Sequence, residues 1–364
     1  MSRLKARIVD LIEALGPISV AEYMALCLSD PQDGYYMTRD PFGRSGDFTT
    51  APEVSQMFGE LVGAWLAVAW RTIGRPKNAV VAEMGPGRGT LMKDMARALS
   101  QVQPDLRQSG SFKLIETSPK LAWAQATILQ GTPGTFDGHT DIDELPLQPL
   151  LIVGNELFDA IPIRQYVKTA SGWRERMVDI DTDENFRFVP GVGSLDEALL
   201  PDDAGTAPEG AIVEIAPARS ALMQKIAARI AAGGGAGIFI DYGYRKPAVG
   251  DTFQAMKKHA YVDPFATPGE ADLTAHVDFH ALAVAARAEG LDAHLMPQGK
   301  FLLDMGILER AGQLGANADE AVRERLSGEV ERLAAPDQMG TLFKVLAILP
   351  AGAKVPPFSA PIPN

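Results

Sequence analysis

Apolar residues recur at two different spacings along the chain, and the change between them falls near residue 79. Over residues 3–15, Leu4, Ile8, Leu11, Ile12 and Leu15 share a helical face, with Arg3, Lys5, Arg7, Asp10 and Glu13 interspersed. The pattern predicts an amphipathic helix ending near Gly16-Pro17, and its charges interrupt any secretory h-region. A second helix is predicted from Ser19 to about Leu28, before a loop rich in Gly, Pro and Asp. A longer helix is predicted from about Pro52 to Ile73, closed by Gly74-Arg75-Pro76. From Ala79 onward, apolar runs at 79–84, 112–115, 150–153, 236–240, 291–295 and 343–349 are each bounded by turn residues. Helical stretches at 90–100, 118–130, 216–232 and 277–289 lie between several of them. Strands alternating with helices predict an α/β fold, a mainly parallel sheet covered on both faces.

Two stretches break the rhythm. Residues 160–215 mix apolar and polar positions (Ile163, Gln165 and Val167, then Trp173 to Ile180, then Phe186 to Val189), which predicts inserted antiparallel β-hairpins. Residues 299–335 read as helical and separate the last two strands. Insertions at the C-terminal edge of such a sheet lie beside its ligand crevice, so both are expected to shape a substrate site. The expected organisation is an N-terminal helical extension or lid over 1–75, an α/β domain over 76–350 and a flexible Pro- and Ala-rich tail over 351–364.

The first strand, Val80-Val81-Ala82-Glu83-Met84, runs directly into Gly85-Pro86-Gly87-Arg88-Gly89-Thr90 and a helix. Glycines serve where φ must be positive or a ligand lies against bare backbone, and the helix then offers free N–H groups. A dinucleotide site wants G-x-G-x-x-G and an acid about 20 residues on. Here the spacing is G-x-G-x-G, Glu83 precedes the first glycine, and the next strand ends at Glu116. That arrangement points to S-adenosylmethionine (SAM), with Glu116 accepting from both ribose hydroxyls and Glu83 orienting the amino-acid end. The purely structural alternative is a tight strand-to-helix turn, with Glu116 capping the helix after Thr117-Ser118.

The third strand runs through Val153-Gly154 into Asn155-Glu156-Leu157-Phe158-Asp159. Polar side chains ending a buried strand mark a catalytic edge, and carboxylates suit a guanidinium, which they grip in two-point fashion. Asn155, Glu156 and Asp159 are therefore candidate catalytic residues, and turn capping by Asn155 and Asp159 is the alternative. Asp241 and Tyr242 end a later strand and are candidates to line a substrate channel, with core packing of the tyrosine the alternative. Asp47 and Phe48, in the run Gly46-Asp47-Phe48-Thr49-Thr50-Ala51-Pro52-Glu53, are candidates for a lid over the cofactor that also contacts substrate, with capping of the following helix the alternative reading of the run. His276 and His280 lack an evident third ligand, so no metal is expected and a helix start capped by Thr274 is the reading. Cys27 reads as a packed residue.

Charge narrows the partners. The formal net charge of -12 gains nothing from counterion release on a phosphate backbone, which argues against nucleic acid; it would suit a basic protein partner, with plain solubility the alternative account of the total. The single cysteine excludes an intramolecular disulfide and fits a reducing, cytoplasmic setting. No apolar run approaches the length that spans a bilayer, so membrane insertion is not expected.

These residues carry a resemblance. The anchors GDFTTAPEVSQMFGELVGAW (46–65), EMGPGRGTLMKD (83–94), GNELFDAIPIRQY (154–166), FIDYGY (239–244), LTAHVDF (273–279) and GKFLLDMGI (299–307) resemble the MidA-type methyltransferases. That family includes mitochondrial complex I assembly factors that methylate arginine. The resemblance implies a class I SAM-dependent methyltransferase fold, a Rossmann-like seven-stranded sheet with an N-terminal helical extension. It further implies symmetric dimethylation of an arginine on a complex I subunit, in the mitochondrial matrix for eukaryotic relatives. Gly85, Gly87 and Gly89, with Thr90 beside them, match its SAM loop and Glu116 its ribose acid, while Asp141 and Ile142 sit where related enzymes contact adenine. A SAM-binding assembly chaperone and a small-molecule methyltransferase are the competing functions, and a homo-oligomer is compatible with the sequence.

Overall fold

The computed structural model describes residues 2–39 and 49–362. The chain divides into two compact units: Met1–Phe48, Phe158–Ala221 and Tyr244–His280 form one, and Thr49–Leu157, Leu222–Gly243 and Ala281–Asn364 the other.

The second unit is built on one sheet. Its strands are β1 (Val80–Met84), β2 (Ser111–Ile115), β3 (Phe136–His139), β4 (Leu150–Asn155), β5 (Gly235–Tyr244), β6 (Leu291–Pro297) and β7 (Phe343–Pro350). They lie in the order β6-β7-β5-β4-β1-β2-β3. Pairing is parallel from β5 through β4, β1 and β2 to β3, and antiparallel where β7 meets β5 and β6. β1 and β4 are buried along their whole length, as strands covered on both faces must be. The chain leaves β1 toward β2 and β3, then returns to β4 on the opposite side. That reversal opens a crevice at the carboxyl ends of β1 and β4, where such sheets bind ligands.

Helices Gln56–Thr72 and Thr90–Val102 pack tightly in this unit because the first presents Gly59 and Gly63. A Cβ on Gly59 would lie 2.6 Å from Asp94 Cβ, and one on Gly63 would lie 3.1 Å from Met95 Cα. The predicted single helix over Pro52–Ile73 is two helices. Ser55 is extended at φ -156°, and its hydroxyl accepts from the Met57 N–H, so it ends Ala51–Val54 and caps Gln56–Thr72. The expected flexible tail is also corrected: Val355 and Phe358 are buried, and Phe358 packs its ring 6.0 Å from Trp65 and Phe301.

The first unit carries helices Arg3–Leu15 and Val20–Ser29 together with the antiparallel insertion. Ser2 caps the former, and Ser19 and Glu22 form a capping box on the latter. The strands run Ile18–Ser19, Gly172–Ile180, Arg164–Thr169, Ile212–Ile215, with Phe186–Ser194 pairing Gly172–Ile180. Gln254–Lys257 lies between Ala260–Val262 and Asp272–Thr274 in a small second sheet. Thr274 therefore belongs to a strand rather than capping a helix; the following helix begins at Phe279. Leu4, Ile8, Tyr23, Met24, Cys27, Val178 and Leu273 fill this unit's core, and burial pushes the Cys27 thiol up to about 12. Residues 2–39 thus share a core with the inserted hairpins, whereas 51–72 pack with the large sheet. The anticipated boundary at residue 75 divides neither unit from the other, because helical periodicity says which face is apolar but not what covers it.

Candidate active site

Strand register assembles the site edge. Met84 pairs with Ile115 of β2 and Gly154 of β4, so Gly85, Glu116 and Asn155 follow side by side. Asn155 pairs with Ile240 of β5, whose carbonyl also accepts from the Glu156 N–H at 2.8 Å, which brings Asp241 to the same edge. Gly85, Gly87 and Gly89 have φ of +65°, +53° and +88°, the left-handed region where a side chain is strained. The Gly85 N–H donates to the Ile115 carbonyl at 3.0 Å, which fastens the turn to β2.

Gln125, in the helix Pro119–Ile128, was not singled out by sequence. It is 2% exposed, and its amide donates to the Gly87 carbonyl at 2.8 Å and to Glu116 Oε2 at 3.3 Å. It locks the glycine turn to the acid. A lone Gln within a helix carries no sequence signal of such a role. Glu116 Oε1 accepts from the Ser118 N–H at 2.8 Å, while Ser118 itself caps the helix. Burial pushes the Glu116 carboxyl above its ordinary range, against the pull of the Ser118 and Thr117 N–H groups and Gln125.

Glu83 is 2% exposed, and its Oε2 has no hydrogen-bond partner. Burial drives its pKa well above the ordinary value, the Met92 N–H opposes this and the Glu116 charge adds to it. Asn155 Oδ1 is likewise buried and unpartnered, its amide being oriented by donation to Glu156 Oε1 at 3.1 Å. Two orphaned acceptors beside a bare glycine turn lack what an ammonium group supplies. The residues present therefore fit SAM, whose amino-acid end carries that group.

Glu156 adopts φ +49°, and its Oε1 also accepts from the Ala51 N–H at 3.3 Å. The Thr90 hydroxyl donates to Glu53 Oε1 at 2.6 Å. Asp241 is fully buried, and its Oδ1 accepts from the Tyr242 N–H at 2.9 Å; the Tyr242 ring meets Phe343 edge-on at 5.4 Å. Asp141, two residues beyond β3, is exposed; its Oδ1 accepts from the Asp143 N–H at 2.8 Å and pairs with Lys225 at 2.7 Å, while Ile142 beside it is buried. Asp159 belongs to the other unit, where it is 5% exposed and its carbonyl accepts from Arg219 Nη2 at 2.8 Å and from the Ala275 N–H at 3.1 Å. Asp47 and Phe48 lie outside the described residues. Among the described residues, no cluster of three or more His, Cys, Asp or Glu could hold a metal ion, and no helix is long and apolar enough to cross a membrane.

A sheet whose main path runs through seven strands in this order, with a glycine turn after β1 and an acid after β2, defines a class I SAM-dependent methyltransferase fold. Comparison with known proteins agrees. Residues 61–296 match a family model described as S-adenosyl-L-methionine-dependent methyltransferase. Zebrafish (Danio rerio) mitochondrial protein arginine methyltransferase NDUFAF7 is 37% identical, the alignment covering 93% of this chain and 85% of that protein. The human protein of that name is 35% identical, over 93% of this chain and 81% of its own length. A Burkholderia thailandensis crystal structure with bound S-adenosyl-homocysteine (SAH) superposes with a TM-score of 0.85 at 30% identity, covering 98% of this chain and 93% of that one. The chain belongs to this MidA-type family of SAM-dependent methyltransferases.

Proposed function

We propose that the chain is a protein arginine N-methyltransferase of the cytoplasm that symmetrically dimethylates an arginine on a respiratory complex I subunit and so supports complex I assembly. The observation that carries this reading is Glu156. It stands at the end of β4 in a left-handed backbone conformation, with its carboxylate held by the Asn155 amide and the Ala51 N–H. Such a conformation costs on the order of 1–3 kcal/mol in a non-glycine residue and persists where the surroundings enforce it, typically at functional sites. The names and identities of the zebrafish and human relatives support arginine as the acceptor, and the family resemblance supports complex I as its source.

In this reading Glu83 and Asn155 accept from the cofactor's ammonium, Gly85, Gly87 and Gly89 present bare backbone to it, and Thr90 borders it at the start of the helix. Glu116 accepts from the ribose hydroxyls, and Asp141 and Ile142 border the adenine. SAM, when bound, supplies an electrophilic methyl group on a sulfonium. Glu156 grips the planar guanidinium through two N–H groups, which aims one nitrogen and limits its motion. Its carboxylate also accepts the proton that this nitrogen gives up, so that the methylated side chain keeps a single positive charge. Asp241 and Tyr242 border the approach at the end of β5.

The test is transfer of tritiated methyl from SAM to membrane extracts of cells lacking the gene, followed by mass spectrometry. Label is expected on arginine of a complex I subunit. Glu156→Gln is expected to lower transfer about 100-fold or more, on the scale of a lost proton acceptor, while still binding SAH. Label confined to small molecules overturns the reading.

A further inference from the structure

The sequence presents Thr50-Ala51-Pro52-Glu53 as capping residues before a helix, yet two of their contacts reach much farther along the chain. The Ala51 N–H donates to Glu156 Oε1 at 3.3 Å, 105 residues away, and Glu53 Oε1 accepts from the Thr90 hydroxyl at 2.6 Å, 37 residues away. Thr90 is the residue that follows Gly89 of the cofactor turn. Between these contacts lies a single helical turn. The Glu53 and Val54 N–H groups donate back to the Thr50 carbonyl at 2.9 and 3.1 Å, Pro52 fixes one φ, and Ala51 and Pro52 are buried. Ser55 breaks the backbone right after this turn and starts Gln56–Thr72, the helix whose Gly59 contacts Asp94, four residues beyond Thr90.

We infer that Glu53 is a positioning residue: the turn Ala51–Val54 is a strap that fixes the cofactor turn through Thr90 and the Glu156 carboxylate through the Ala51 N–H, so that cofactor binding and the aim of Glu156 are coupled. The inference rests on the proposed roles of the glycine turn and Glu156. A carboxylate accepting a hydroxyl proton makes one of the stronger hydrogen bonds, and here it sets the position of the residue that opens the helix. Losing it frees Thr90 and the strap together.

The experiment is isothermal titration of SAH into the full chain and its Glu53→Ala, Glu53→Gln, Glu156→Ala and Glu53→Ala/Glu156→Ala variants. Glu53→Ala is expected to weaken SAH about tenfold, the loss of one charge-assisted hydrogen bond, and Glu53→Gln, which keeps an acceptor oxygen, less than about twofold. The effect on affinity of Glu156→Ala, which removes the acceptor of the Ala51 N–H, is expected to shrink at least about threefold in the Glu53→Ala background, because neighbours joined through one element are not additive. Should Glu53→Ala fail to fold, Thr90→Val breaks the same contact and takes its place in the cycle. Factors that simply multiply, or equal losses in Glu53→Ala and Glu53→Gln, overturn the strap and leave the cofactor reading standing. A wild-type chain that takes up no SAH overturns both.

Discussion

At the scale of single residues, Glu83 concentrates the electrostatics of the site. Its carboxyl is buried with one oxygen unpartnered, and burial raises its pKa well above the ordinary value. The folded, ligand-free protein therefore holds a proton that the unfolded chain has released. Where the folded state binds more protons, stability falls as pH rises, here from the ordinary glutamate value upward through the raised one. Ligand reverses the preference, since an ammonium favours the carboxylate. SAH affinity should accordingly rise with pH across that same window, with a proton released on binding, as titration in buffers of different ionisation enthalpy would reveal. Glu83→Gln should flatten the pH dependence, raise the stability of the ligand-free protein and weaken SAH about tenfold, one hydrogen bond to a charged group. A wild-type affinity independent of pH would show that Glu83 does not meet the ammonium.

Among the elements, those with strong periodicity were readable, and those defined by partners were not. The runs at 79–84, 112–115 and 150–153 became β1, β2 and β4, because strands covered on both faces are largely apolar; only Glu83 and Lys113 interrupt these three. Phe136–His139 went unrecognised: this edge strand carries Asp137, Gly138 and His139, and only one neighbour demands anything of it. The glycine turn and Glu116 stand out in the sequence because each directly follows a strand. The contacts of Gln125 and Glu53 do not, because each bonds to a residue more than thirty positions away. Gly59 was equally silent, although it determines how closely Gln56–Thr72 approaches the helix carrying Thr90. A methyl group there would meet Asp94 Cβ at 2.6 Å. Gly59→Ala should therefore lower stability by about 1–3 kcal/mol through overpacking, despite the better helix propensity of alanine. Urea denaturation reads this directly, and a stabilised variant would mean that the helices can separate at no cost.

For the whole molecule, the expectation that failed most informatively concerned the C-terminus. A stretch rich in Pro and Ala reads as flexible because composition offers it no helix or strand. Yet a segment without regular structure is ordered when its few large side chains find a pocket, and here Val355 and Phe358 do. Phe358 is 5% exposed and sits edge-on to Trp65, near Phe301 and beside His294. Beyond it, the Ile362 N–H donates to the Ala293 carbonyl at 2.7 Å, and the Ile362 carbonyl accepts from Arg287 at 3.2 Å. The tail thus helps close the core below β6, on the same sheet that carries the glycine turn. Phe358→Ala should cost about 3–5 kcal/mol, the range for emptying an aromatic site in a packed core. It removes no group from the crevice, so SAH affinity measured where the variant stays folded should remain within about twofold. A Phe358→Ala chain with unchanged urea midpoint would mean that the tail merely rests on the surface. Loss of SAH binding by the folded variant would instead show that the core around Trp65 supports the SAH site.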